Sequence, residues 1–283
     1  MSPFRCGITG EVAVNTTQAL GRLRRLEPVF GLIQTIPVPA LTELAVWSGY
    51  DFVILDGEHG IADEPAHLAC LQAISGSDAF AAVRVQPGNF GAVGRYLDLG
   101  AHAILMPDVQ TPADAAALVA AATHGPKGTR SSTGSARVSR YGLGRLTDEP
   151  PLLLAMIESQ KAVRHIAAIV ATPGISGVVI GPSDLSADLD CPNDFSSSAY
   201  LQAFRQIERA ATDARLVFGT KPHPGFELEQ LLAAGHRFII AAADINILRD
   251  GYCTQLAAAR AGLANDPMSR TRPSGIKPGD RRP

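Results

Sequence analysis

Short, continuously apolar runs alternate along most of the chain with longer segments in which alanine and leucine recur at helical spacing. The runs at residues 29–35, 51–56, 79–85, 103–107, 152–158, 177–182, 216–220 and 237–241 predict strands. Most lack the in–out alternation of a half-exposed strand, and continuous apolarity is what a parallel strand covered on both faces requires. The segments at 39–48, 65–74, 90–99, 112–123, 159–172, 198–215, 226–234 and 246–263 predict helices. Gly49, Gly100 and Gly235 stand where a helix must stop before the next apolar run, a position that favours glycine. Eight such units in one series predict a closed (β/α)8 barrel of the TIM type; a doubly wound open sheet ranks second, since it does not need eight.

Length agrees with that reading. The chain has 283 residues, close to the roughly 250 that a barrel takes, and 46% of them are hydrophobic against 18% charged. Residues 1–28 read as an N-terminal segment, 29–264 as the catalytic barrel and 265–283 as a disordered tail. Residues 125–151, rich in glycine, serine and arginine, interrupt the rhythm after the fourth unit, and a long loop there is functional or disordered. The formal net charge of −2 gives no pull towards nucleic acid or an anionic membrane. No signal-peptide stretch and no apolar run of about 18 residues is present, so a cytoplasmic protein without a membrane partner is expected. Cys6, Cys70, Cys191 and Cys253 form no CxxC pair, which leaves a structural zinc or redox motif unsupported.

The ionisable residues collect at the carboxyl ends of the expected strands, the end that carries reactive groups in this architecture. Strand two runs into Asp56-Gly-Glu-His59, strand three carries Arg84, strand five ends at Glu158, and strand six runs through Gly181, Pro182 and Ser183 into Asp184. Glu158 and Asp184, on consecutive strands, make an oxygen-rich site for a hard divalent cation. His59 can accept a proton and Arg84 can clamp an anion. Taken singly these residues have blander readings: Glu158 a loop or capping residue, Arg84 a partner of Asp56 or Glu58, His59 a polar loop residue, Gly181–Asp184 a turn. The other six histidines show no metal-ligand spacing. Lys221, one of four lysines, closes strand seven. It is a Schiff-base candidate, a solvated loop lysine or a clamp for the acidic end of a second substrate.

The segments DFVILDGEHG, AVRVQP, YLDLGAHAILMPDVQT, GPKGTR, MIESQKAV and GISGVVIGPSDLSADL, in this order, resemble the HpcH/HpaI aldolases, class II metal-dependent pyruvate aldolases to which macrophomate synthase is related. The resemblance covers about residues 30–248. It implies that Glu158 and Asp184 bind a divalent metal, Mg2+ or Mn2+, with Co2+ or Zn2+ as alternatives. It implies that Arg84 steadies an enolate oxygen and that His59, beside Asp56, moves a proton. Gly181, Pro182 and Ser183 would seat the carboxylate of a 2-oxo acid, with an aldehyde as the second substrate. Asp98 would serve the histidine of a neighbouring subunit in a hexamer whose last helix is exchanged. Three departures fall near the second substrate: Met156 stands where glutamine is usual, Gly31-Leu32 is followed by Ile33 where tryptophan is usual, and Arg130 is followed by Ser131 rather than glycine. The expected reaction is cleavage or formation of a 4-hydroxy-2-oxo acid, with oxaloacetate decarboxylation through the same enolate. A CoA-ester carbon–carbon lyase and a non-catalytic ligand-binding barrel are the alternatives.

Overall fold

The computed structural model describes residues 17–61, 63–144 and 149–264. Eight parallel strands close into one barrel in chain order: β1 (Val29–Gln34), β2 (Phe52–Asp56), β3 (Phe80–Arg84), β4 (Ala103–Met106), β5 (Leu152–Ile157), β6 (Gly177–Ile180), β7 (Val217–Thr220) and β8 (Phe238–Ala243). β8 returns to pair with β1, with a register shift between Gly31 and Leu32. The helices are α1 (Gln18–Arg24), α2 (Pro39–Trp47), α3 (Glu64–Ala73), α4 (Phe90–Asp98), α5 (Pro112–Ala122), α6 (Gln160–Val170), α7 (Pro182–Asp188), α8 (Ser198–Asp213), α9 (Leu228–Ala234) and α10 (Asp244–Ala264). The chain divides after Asp244 into two compact units, and the described part of the second is α10 from Ile245 onwards. No described helix is long and apolar enough to cross a membrane.

Local chemistry sets the boundaries. The side chains of Asp63, Asn89 and Ser159 accept the amides of Ala66, Ala92 and Ala162, capping α3, α4 and α6. Thr111 and Asp114 form a reciprocal capping box at α5. Gly49, Gly100 and Gly235 all adopt the left-handed backbone, with φ of 95°, 97° and 98°.

The period-2 geometry of each strand sorts its residues into two cores. Phe52 and Ile54, Phe80 and Ala82, Leu152, Leu154 and Met156, Val179, Val217 and Phe238 fill the barrel interior. Val53, Leu55, Ala81, Val83, Leu153, Ala155, Ile157, Val178, Ile180 and Phe218 face the surrounding helices. The rings of Phe52, Phe80 and Phe238 gather near the amino ends of their strands, with Phe52 stacked 4.1 Å from Phe238 and 5.3 Å from Phe80. Losing one such buried ring costs about 3–5 kcal/mol. The same parity, carried on, puts Asp56, Arg84, Glu158, Gly181 and Lys221 on the inward side at the carboxyl ends.

Two helices escape the periodicity reading. α1 lies within the expected N-terminal segment, where Ala19, Leu20 and Leu23 join the interior cluster. α7 grows from the Gly-Pro-Ser-Asp stretch read as a turn, with Pro182 in its first turn, where a missing N–H is tolerated. Each has 7 residues, as α9 does, but neither is followed by the glycine stop before an apolar run that marks α9. In the long insert a 3-10 segment spans Arg137–Gly142, and Arg137 donates to Leu99 O at 2.6 Å and Leu71 O at 3.2 Å. The tail at 265–283 lies outside the described residues.

Candidate active site

Asp56 ends β2 opposite Arg84 of β3 in the ladder. Arg84 Nε and Nη2 donate to the two oxygens of Asp56 at 2.9 and 2.8 Å, and Nη1 reaches Glu58 Oε2 at 2.9 Å. The planar fork of arginine matches this two-carboxylate arrangement, which the point charge of lysine would not. Asp56 is 2% exposed and also accepts the amides of Glu58 and His59 at 3.1 and 3.2 Å. Burial pushes its carboxyl up, but Arg84 and the two amides outweigh that and hold it below the ordinary value. Glu58 goes the other way, raised because burial exceeds the pull of Arg84 and His59. The His59 ring stands clear of this cluster, 69% exposed, with Nε2 3.8 Å from Glu58 Oε2.

On β5, Met156 is 5% exposed inside the barrel and Glu158 follows two residues later on the same parity. The amide of Asp108 donates to Glu158 Oε2 at 3.0 Å. Asp108 adopts φ 52° and its carboxylate accepts Gln110 Nε2 at 2.7 Å, a left-handed conformation that aspartate tolerates better than most residues. Gly181 follows β6 beside Glu158. A Cβ on Gly181 would lie 2.3 Å from Glu158 Oε1, so glycine there gives the carboxylate its space. Burial pushes Glu158 up to about 7, the charges of Asp184 and Glu58 add to it, and the Asp108 amide and Arg84 oppose it. Asp184 lies in the first turn of α7, directly after Ser183, whose Oγ is 3.4 Å from Lys221 Nζ.

Asp56, Glu58, His59, Arg84, Glu158, Gly181, Pro182, Ser183, Asp184 and Lys221 therefore share one rim. Asp98 does not join them in the same barrel. It is the last residue of α4, which runs back towards the amino ends of the strands, and its Oδ1 meets Arg130 Nη2 at 2.5 Å. Glu58, named from the sequence only as a possible partner of Arg84, is that partner together with Asp56. Asp108 carried no sequence assignment, because it acts through a backbone amide that any residue type supplies.

Among the described residues no group of three His, Cys, Asp or Glu side chains forms a metal cage. The rim instead offers Glu158 and Asp184, whose negative charges act on each other. Crowded carboxylates fit a hard cation that completes its shell with water and a chelating substrate.

The pattern of the HpcH/HpaI aldolase/citrate lyase family matches residues 35–250. A hydroxypyruvate/pyruvate aldolase of Delftia acidovorans is 32% identical over 257 residues, covering 88% of this chain and 96% of the relative. The crystal structure of an HpcH/HpaI aldolase/citrate lyase family protein from Burkholderia cenocepacia superimposes with TM-score 0.80 at 28% identity, covering 86% of this chain and all (100%) of the other. Macrophomate synthase superimposes with TM-score 0.75 at 25% identity, over 88% of this chain and 90% of its own.

Proposed function

The chain belongs to the HpcH/HpaI aldolase/citrate lyase family and is a carbon–carbon lyase of aldolase type, and we propose that it works on a pyruvate-type 2-oxo acid with Glu158 and Asp184 as metal ligands. The observation that carries this reading is the convergence of Glu158, Asp184 and Arg84 at one rim, with Asp184 and Arg84 both within electrostatic reach of Glu158. A divalent cation there, Mg2+ or Mn2+ in our reading, supplies Lewis-acid stabilisation of charge developing on a keto oxygen.

The protein groups do the rest. Arg84, fixed through Asp56 and Glu58, presents a guanidinium that need not reorganise as negative charge grows on the enolate oxygen. The exposed ring of His59 passes a proton to or from the substrate through water. Gly181, Pro182 and Ser183 seat the carboxylate where the first amides of α7 lack intrahelical acceptors. Met156 floors the pocket below Glu158. Cleavage of a 4-hydroxy-2-oxo acid gives pyruvate and an aldehyde, and oxaloacetate decarboxylation shares the enolate. Asp98, remote from its own rim, acts on His59 of a neighbouring copy in a hexamer that exchanges its last helix.

The test is cleavage of a 4-hydroxy-2-oxo acid before and after exhaustive chelation. Loss of pyruvate formation on chelation and its return with Mg2+ or Mn2+ support the reading. Full turnover in chelated protein sinks it.

A further inference from the structure

β7 ends at Thr220, and six residues, Lys221-Pro-His-Pro-Gly-Phe226, follow on the catalytic rim. Their path is fixed at three points. Thr220 Oγ1 donates to Ile180 O at 2.9 Å, tying the end of β7 to that of β6. Phe226 N donates to His223 O at 2.8 Å, closing a four-residue turn with Pro224 second and Gly225 third. Gly225 has φ 81°, the conformation that a type II turn demands at that place.

The third point is the His223 ring, whose Nδ1 lies 2.8 Å from Lys221 O and Nε2 2.8 Å from Tyr200 Oη. A carbonyl oxygen only accepts, so Nδ1 carries the proton. The ring is 7% exposed and burial holds its pKa below the ordinary value, so Nε2 is the acceptor for the Tyr200 hydroxyl. Phe195 and Phe226 each pack against the ring with centroids 4.7 Å away. A hydrogen-bond chain from α8 thus anchors the Lys221 backbone from below.

Lys221 itself lies on the inward parity of β7, and its ammonium reaches Ser183 Oγ at 3.4 Å. Arg84 and Arg130 are each matched to a carboxylate; among the described residues Lys221 makes no such pair. The 2-oxo acid already has a seat for its carboxylate, so this cation is left for whatever adds to the enolate carbon. We propose that Lys221 is a pre-positioned anion clamp for the second substrate, held by His223 and Tyr200, and that the site prefers an aldehyde bearing a carboxylate or phosphate to its neutral counterpart. The proposal rests on the enolate reading above.

The experiment uses the metal-loaded enzyme with pyruvate and two matched pairs of aldehydes, 4-oxobutanoate against butanal and glyceraldehyde 3-phosphate against glyceraldehyde. Wild type should favour the charged member of at least one pair by about tenfold in kcat/KM, the scale of one charge-assisted hydrogen bond discounted for solvent. The pair that discriminates tells carboxylate from phosphate. Lys221→Met should erase the ratio, with the loss on the KM of the charged aldehyde and not on that of pyruvate. Lys221→Arg should keep part of it. Tyr200→Phe, which retains the ring packing, should weaken the ratio by a smaller factor. The KM of the charged aldehyde should rise with salt in wild type and not in Lys221→Met.

A wild type without preference overturns the clamp, as does a Lys221→Met variant in which both members of a pair fall together or the pyruvate KM rises. Deuterium exchange at the pyruvate methyl, run without aldehyde, separates the two readings. Its absence in wild type overturns the enolate reading, whereas normal exchange with no charge preference overturns the clamp alone.

Discussion

Replacing Arg84 by glutamine is the most informative single perturbation of the rim. It would leave Asp56, 2% exposed, and Glu58, with a side chain 14% exposed, as two carboxylates without their cation. Removing one partner of a buried pair costs about 3–5 kcal/mol. Asp56 keeps the amides of Glu58 and His59, so the lower end, about 3 kcal/mol at pH 7, is expected. The pH dependence has a definite sign. In wild type the Asp56 carboxyl is held below 3.8, so its contribution is present above that pH and is lost as pH falls through the folded value. In Arg84→Gln burial acts unopposed by the guanidinium, so Asp56 takes up a proton more readily and the gap to wild type narrows towards pH 4. Urea unfolding at pH 7 and pH 4.5 measures this. A double-mutant cycle with Asp56→Asn should return a coupling of about 2 kcal/mol. A cost below about 1 kcal/mol at pH 7, or strict additivity of the two substitutions, would refute the argument that this pair is a buried fixture.

Other consequences follow from single contacts. Borohydride reduction with pyruvate present should leave Lys221 unmodified, and a mass increase there would replace the metal mechanism with a Schiff base. His59→Gln and Asp98→Asn should each be poorly active, yet mixing them under subunit exchange should recover part of the activity. No recovery, or an active monomer, would return Asp98 to the role of a structural partner for Arg130. Desolvation and the nearby charges of Arg137 and Arg24 lower the pKa of the half-buried His102 from 6.5 to about 4, with Nδ1 accepting the Ala81 amide. Between those values the unfolded chain binds a proton that the native ring refuses, so stability falls as pH drops from 6.5 to 4, by about 3 kcal/mol at about 1.4 kcal/mol per unit. His102→Asn should flatten that acid limb of the unfolding profile, and an unchanged slope would refute the assignment.

Much of this was legible in the sequence because parallel strands buried on both faces write themselves as apolar runs. The eight runs match β1–β8 to within a residue or two at each end, and the ionisable residues that interrupt them form the rim. What was hidden shares one property, namely that its signal is not periodic. α1 and α7 are two turns long and lack the glycine stop that marks α9. Asp108 contributes an amide. His223 looks like one more isolated histidine until the turn from His223 to Phe226 and the hydroxyl of Tyr200 show what it holds. Strand-end position and residue chemistry supplied the common location of Glu158, Asp184, Arg84 and His59 and their general roles as cation site, anion clamp and proton acceptor; the resemblance tied those roles to a pyruvate enolate. Lys221 remained open between three readings because its neighbour Ser183 lies 38 residues away in the chain.

The most direct test of the account is proton–deuterium exchange at the methyl group of pyruvate, followed by NMR in the absence of any aldehyde. It isolates enolate formation from carbon–carbon chemistry and needs no knowledge of the second substrate. With Mg2+ or Mn2+ the wild-type enzyme should exchange the methyl protons; chelated enzyme should not. Glu158→Gln should bind the metal poorly and lose exchange while keeping its fold by circular dichroism. Exchange that persists without metal, or in Glu158→Gln at the wild-type rate, would contradict the assignment of this rim as a metal-assisted enolate site.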